Sequence, residues 1–474
     1  MTANPGPEKK VPRHRRVGSR APAARPSALP SRTAPDPLAD PGKSSRDAPE
    51  IIFAQAAQKG PDARRHAEGR ARRTGSTPQR VARRANAADG PFSAACYAYQ
   101  ETSRYFAQVS EGMESMAQSE LEALGATDLT PGFRGLSFRA DPRTLYKTAY
   151  LSRLIQKIIA PLMVFDCHST KYLYQRAKNL PWTDFLTPAR TFVISANVSN
   201  SHIRHSQYAA LCLKDAIADH FREQCGERPS VERDAPDVRF HLYIHDNRAT
   251  IGLEVSGGSL HKRGYRRIGH EAPIQETVAA AVIRLAEWDG ERPLVDPMCG
   301  SGTLLCEALM HYCRIPAGYL RPRFGFESLP DYAAATWAGV RAEAQARIRP
   351  LPEGLIRGSD LSGEAVSAAR ANLDQLPFGT TVAVHAMDFR SISSLEQTVI
   401  VSNPPHGIRL QQAEGMEAFC KDLGDFLKQR CRNSQAYLFF GNRELIKLIG
   451  LRTSWKKPLS SGGIDGRLIK LLLY

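Results

Sequence analysis

No stretch of this chain of 474 residues approaches the roughly 18 consecutive apolar residues of a membrane-spanning helix, so no helical span is expected. Paired CxxC spacings are equally absent among the nine cysteines, and no secretory apolar region follows the first charges. Both absences point to reduced thiols in a cytoplasmic protein. Cys306 and Cys313 lie too far apart for an ordinary zinc ligand pair even with His311 between them. They are read as small buried side chains, and no metal is expected.

Aromatic residues are nearly missing from the first 90 positions, where Phe53 stands alone. That segment is rich in Pro, Ala, Arg and Ser and holds 19 Lys and Arg against 8 Asp and Glu, so it carries +11 of the net charge of +16. It cannot bury enough apolar surface to offset the entropy of ordering, and residues 1–100 are read as a disordered basic tail. Acids at Glu8, Asp36, Asp40 and Asp47 argue against a targeting peptide. The tail suits either a tether for a polyanion or a passive solvated extension.

What is present divides into three ordered parts. Residues 101–164 alternate strand and helix patterns in the manner of a ferredoxin-like unit: a strand and helix in YFAQVSEGMESMAQSELEALGA, a strand at GLSFRA, and a helix expected over TLYKTAYLSRLIQKII. Residues 165–257 add a strand at TFVISANVS, a helix at HSQYAALCLKDAIADHFREQ and a hairpin turning at Asp246-Asn247. Arg204, His205, Gln207, Tyr208 and Lys214 gather basic and stacking groups at the start of that helix, a set that suits RNA phosphates and bases or a plain solvated face. From 258 to 474, apolar strands at PLVDP, LIRGSD, TVAVHAMD, TVIVSNPP and AYLFFG alternate with helix-length segments. This part is read as an α/β, doubly wound, Rossmann-like sheet.

In such a sheet ligands bind at the carboxyl ends of the strands, and here those ends are acidic: Asp296, Asp360 and Asp388, with Gly300-Ser301-Gly302 turning after the first. The loop lacks both the Lys and Ser/Thr of a phosphate loop and the third glycine of the dinucleotide fingerprint. A ligand with an amino group, a ribose diol and an adenine fits better, and S-adenosylmethionine is the cofactor expected, with NAD as rival. Asp360 lies 58 positions beyond Gly302, which implies an insertion over or beside the cofactor.

The fourth strand runs into Asn403-Pro404-Pro405-His406. The prolines fix a rigid extended turn and remove two amide donors, which leaves the Asn oxygen and backbone carbonyls as acceptors for the exocyclic amine of a base. Catalysis would then be positioning and exclusion of water, with His406 as the platform for a flipped base.

These residues carry a resemblance. IRHSQYAALCLKDAI and RDAPDVRFHLYIH in the second part, LHKRGYRRIGHEAPIQETVAAAV in the linker, and DPMCGSGTLLCEALM with SNPPHGIRL in the third resemble the THUMP-domain family of bacterial large-subunit (23S) rRNA guanine-N2 methyltransferases, in particular the N-terminal methyltransferase half of its longer member. The resemblance covers about residues 105–474 and makes the 165–257 part THUMP-like. It implies a cofactor site at Asp296, Cys299, Gly300, Gly302, Asp360 and Asp388, closed from the linker by Gly264, Tyr265 and Arg266. It places Asn403, Pro404, Pro405 and His406 in the target-base motif, and the RNA contacts expected are Arg204, Gln207, Lys214 and Arg266. Family members usually carry Tyr or Phe where this chain has His406. The second methyltransferase domain of the longest relatives is not found, so a single modification is expected. Large-subunit rRNA or its assembly intermediate is the partner implied, with tRNA guanine as the related alternative. A different class, a catalytically inactive RNA-binding assembly factor, is motivated by His406 and the basic tail and opposed by the intact acids and Asn403.

Overall fold

The computed structural model describes residues 96–132, 134–268, 274–405 and 413–474. In chain order the described helices are α1 (Ala98–Thr102), α2 (Glu114–Leu124), α3 (Pro142–Leu151), α4 (Thr170–Lys178), α5 (Ser206–Cys225), α6 (Glu276–Leu285), α7 (Thr303–Tyr312), α8 (Ala334–Gln345), α9 (Gly363–Leu373), α10 (Ala413–Arg430) and α11 (Leu445–Leu448). The strands are β1 (Arg104–Val109), β2 (Thr127–Gly132), β3 (Gly135–Arg139), β4 (Ile155–Asp166), β5 (Phe192–Ser199), β6 (Val238–His245), β7 (Arg248–Glu254), β8 (Leu294–Asp296), β9 (Ile356–Asp360), β10 (Ala383–Ala386), β11 (Val399–Ser402), β12 (Ser434–Phe440), β13 (Thr453–Ser461) and β14 (Ile464–Leu473).

The first seven strands form one sheet in the order β2-β3-β1-β4-β7-β6-β5, antiparallel except for the β5–β6 pair. β4 joins its halves, pairing with β1 through its first residues and with β7 along the rest. Here the structure corrects the sequence reading. The helix expected over TLYKTAYLSRLIQKII stops at Leu151, and the remainder of that stretch enters β4. Leu151, Leu154, Ile155, Ile158 and Ile159 have helical spacing, which is why the segment reads as helix. A central strand is buried on both faces and shows no alternation. Ile158 packs into the helix-covered core, while Ile159 meets Phe106 and Tyr243 on the opposite face. Ser152 makes the break: extended at φ −61°, ψ 133°, its hydroxyl donates to Glu120 and accepts from Ile155 N–H. The hairpin at Asp246-Asn247 forms as expected. Both residues take positive φ, which suits a two-residue turn between twisted strands.

The second sheet has the order β10-β9-β8-β11-β12-β14-β13; its first five strands are parallel, and a C-terminal hairpin is added antiparallel. The chain leaves β8 toward β9 and β10 and then returns to β11 on the other side of β8. The switch point therefore lies between β8 and β11.

The insertion between Gly302 and Asp360 packs against the first sheet and α3, which its sequence does not announce. Phe326 N–H donates to Val255 O at 2.9 Å, Gly318 N–H to Tyr150 O at 2.9 Å, and Ala333 N–H to Tyr146 Oη at 2.9 Å, all on the first sheet and α3. Tyr146, Tyr150, Phe324, Phe326 and Trp337 pack there, mostly edge to face, with centroids 4.4 to 6.3 Å apart. A Cβ on Gly325 would fall 2.1 Å from Glu254 O, so only glycine lets the two backbones meet. The insertion thus fastens the second sheet to the first.

Candidate active site at the switch point

β8 and β9 deliver their acids side by side. Asp296, 1% exposed, accepts from Met298 N–H at 3.1 Å and from the Ser402 hydroxyl at 2.8 Å. Both bonds go to Oδ1, and among the described residues no donor is assigned to Oδ2. Burial pushes its carboxyl up to about 7; the two hydrogen bonds oppose that rise, and the nearby Asp360 charge adds to it. Asp360 accepts Gly300 N–H on one oxygen at 2.8 Å and Ser362 N–H on the other at 2.9 Å, which fixes the glycine loop to the end of β9. Each oxygen keeps a second lone pair.

The loop needs its glycines for different reasons. Gly300 has φ +52° with open space where a Cβ would project, whereas Gly302, at φ +77°, would press a Cβ to 3.0 Å from Ala369 Cβ. The first leaves room for a ligand against bare backbone, and the second brings α7 against α9. Cys299 is buried under the loop, its N–H donating to Ser359 O at 2.9 Å, and burial pushes its thiol well above the ordinary range. Asp388 lies two residues past the end of β10, not at it. Its carboxylate caps the short turn Phe389–Ser391 and pairs with Arg390 at 3.0 Å.

Across the switch point, β11 ends in Ser402-Asn403-Pro404-Pro405. Ser402 ties this strand to Asp296, and Pro404 is buried while Pro405 is exposed. Asn403 Oδ1 is buried and accepts no hydrogen bond among the described residues. Leaving such an oxygen unpaired costs roughly 1 to 3 kcal/mol. His406 lies outside the described residues, as do residues 1–95 of the basic tail; the end of the stretch read as disordered is instead ordered, because Tyr97 and Tyr99 are buried and residues 98–100 belong to α1.

Two of the expected site residues turn elsewhere. Tyr265 is 1% exposed and donates to Glu307 Oε1 at 3.1 Å; the same oxygen pairs with Arg263 at 3.2 Å, so Tyr265 belongs to a buried ionic cluster beneath α7. Arg153, from the start of β4, extends that cluster by donating to Met310 O and Ile315 O at the end of α7, where a cation meets the negative end of the helix. Arg266 is likewise turned inward, onto Ser301 Oγ at 3.1 Å, Thr303 Oγ1 at 2.9 Å and Glu276 at 3.0 Å. Arg204 and Gln207 are exposed and share a shallow groove with His205 and Tyr208, the latter 60% exposed. Lys214 lies outside that groove and pairs with Asp215 at 2.8 Å.

Sequence reasoning missed Ser402 and Asn372. The signal for Asn372 was a lone amide at i+7 from Ala365 and i+3 from Ala369 on a buried helical stripe; it is fully buried and donates to Ser301 O at 3.0 Å. Among the described residues there is no group of three or more His, Cys, Asp or Glu placed to hold a metal.

The acid pair and the open glycine fit a cofactor with an ammonium and a ribose diol. On that fit, Asp360→Ala lowers affinity for S-adenosylmethionine about tenfold to a hundredfold, the cost of roughly 1.5 to 3 kcal/mol for hydrogen bonds to a charged group. Calorimetry on the folded variant measures it, and wild-type affinity would remove Asp360 from the site.

Comparisons with known proteins agree with this layout. Residues 263–470 match a model described as the RMKL-like methyltransferase domain, 167–254 the THUMP domain, and 104–159 the RlmL ferredoxin-like domain. A putative RNA methyltransferase of Synechocystis sp. is 37% identical over 80% of this chain and 99% of its own length. The ribosomal RNA large subunit methyltransferase K/L of Syntrophotalea carbinolica is 34% identical over 77% of this chain but only 53% of its own, so the chain spans about half the length of that relative. A putative methyltransferase crystallised with S-adenosylhomocysteine superposes with a TM-score of 0.68 at 25% identity, over 78% of this chain and 98% of its own.

Proposed function

The chain belongs to the family of THUMP-bearing, RMKL-like methyltransferases, and from that premise we propose that it uses S-adenosylmethionine to methylate the exocyclic N2 amine of a guanine in bacterial large-subunit rRNA, in the cytoplasm. The cofactor supplies an electrophilic methyl group; the residues of this chain bind, orient and exclude water. Asp296 would receive the ammonium and Asp360 the ribose diol, with Asp388 as the third acid that would hold the cofactor. The single observation that carries the reading is Asn403 Oδ1, a buried acceptor with no partner among the described residues, at the end of the strand joined to β8 by Ser402 and Asp296. An amine donating to that oxygen keeps its lone pair out of the ring and free for the methyl group, and no base need act before transfer. The relatives' names support rRNA as substrate; the guanine N2 position rests on the family resemblance and on this acceptor chemistry.

The test is mass-spectrometric mapping of rRNA from a strain lacking the gene, before and after incubation with purified protein and cofactor. One N2-methylguanine should be missing and then restored in the large subunit. Restoration in tRNA alone would move the substrate to tRNA, and cofactor binding without any restored methyl group would favour the assembly-factor reading.

A further inference from the structure

The linker that leaves the first sheet reaches the second at the cofactor loop, and it grips that loop from two sides. Arg266 spreads its guanidinium over Ser301 Oγ (3.1 Å) and Thr303 Oγ1 (2.9 Å), while its Nε is neutralised by Glu276 at 3.0 Å. Asn372, buried on α9, donates to Ser301 O at 3.0 Å and with its own oxygen accepts the linker N–H of Arg267 at 2.8 Å. Ser301, between the two loop glycines, is therefore held at its hydroxyl by one linker residue and at its carbonyl through an amide that also holds the next linker residue. An arginine beside the first turn of α7 would by itself oppose the helix dipole. Its presence there, compensated by Glu276, is accounted for by the two hydroxyls it orders.

Resting on the cofactor reading above, we infer that Arg266 and Asn372 are positioning residues that clamp the cofactor loop to the linker, so that seating RNA on the first sheet and binding S-adenosylmethionine strengthen one another. The linker begins where β7 ends, and Arg263, three residues before Arg266, is fixed by Arg153 O at the start of β4 and by Glu307 on α7. A displacement of the first sheet thus has a continuous hydrogen-bonded route through Arg263 and the short linker to Ser301. Coupling of this kind is reciprocal: whatever RNA adds to cofactor affinity, cofactor adds to RNA affinity.

The experiment measures S-adenosylmethionine affinity by calorimetry, with and without a saturating rRNA fragment, for wild type, Arg266→Ala, Arg266→Lys, Asn372→Ala and Ser301→Ala, together with RNA affinity in the absence of cofactor. Arg266→Ala should weaken cofactor binding about tenfold or more and erase the RNA-induced gain, with cofactor-free RNA affinity unchanged. Lysine keeps the charge but cannot span both hydroxyls, so it should restore only part of the affinity. Ser301→Ala deletes one acceptor without opening the core and keeps the test decisive if Asn372→Ala fails to fold. Because both clamps act on one residue, the Arg266→Ala loss should shrink in the Ser301→Ala background. Wild-type cofactor affinity and coupling in Arg266→Ala would overturn the inference, as would a loss confined to RNA affinity, which would make Arg266 an RNA contact instead. A wild-type protein that binds cofactor with this coupling yet methylates no RNA would sink the proposed function and leave the clamp standing.

Discussion

Asn403→Ala lowers the single-turnover methylation rate by about a hundredfold to a thousandfold, the range lost when one preorganised hydrogen-bonding group is removed from a reacting centre, while affinity for rRNA stays within about twofold. The split follows from where the oxygen sits. Asn403 Oδ1 is buried at the end of β11 and is held by nothing among the described residues, so the substrate amine meets a desolvated acceptor. In the ground state that amine is conjugated with its ring and only weakly polarised. As the new bond to carbon forms, nitrogen becomes cationic and its hydrogens more acidic, and the same contact strengthens. On the proposed function, RNA affinity is expected to come largely from phosphate and base contacts on other surfaces, for which the groove of Arg204, Gln207 and Tyr208 is the candidate. A variant that folds with an unchanged melting temperature and methylates at the wild-type rate would reduce Asn403 to the end of a turn.

How much of this was legible in the sequence depended on how local the cause was. The five parallel strands of the second sheet, the hairpin at Asp246-Asn247 and the glycine loop are each written in a few adjacent residues and appear where expected, whereas the C-terminal hairpin β13–β14 is not among the expected strands. The start of β4 reads as helix because burial on both faces gives the sequence of a central strand the spacing of a helix, and nothing within SRLIQKII says that β1 and β7 will flank it. Tyr265 and Arg266 are adjacent residues of one linker motif, and their inward roles are decided by Glu307, Ser301 and Thr303, which lie 35 to 42 positions away in sequence. A basic residue beside a glycine loop reads as a contact for RNA until its partners are known. The length of the insertion marks it as lying over or beside the cofactor, but nothing local in it says that its aromatic residues find Tyr146 and Tyr150 on α3.

Asp296→Asn should act in opposite directions on stability and on binding. The wild-type carboxyl is buried and raised from 3.8 to about 7, so in the folded protein it resists ionisation. A group whose pKa is raised by folding contributes its full stability below the unfolded value, here below 3.8, and that contribution disappears as pH rises through about 7. At pH 8 the protein without cofactor therefore holds a buried charge at a cost of up to roughly 4 kcal/mol, from 1.36 kcal/mol for each tenfold change in ionisation. Asparagine keeps the oxygen that accepts from Met298 N–H and Ser402 but carries no charge. Urea unfolding at pH 8 should find the variant more stable by roughly 1 to 3 kcal/mol, less than the full cost because the site relaxes, with the advantage shrinking steadily toward pH 4. Affinity for S-adenosylmethionine should move the other way. The ammonium needs the carboxylate, so the variant loses about tenfold to a hundredfold, and wild-type affinity falls about tenfold for each pH step below 7 as protons compete for the same oxygens. An Asp296 that merely braced β8 against β11 would give the stability change alone. A variant that binds cofactor as tightly as wild type at pH 8 would remove the carboxylate from ammonium recognition.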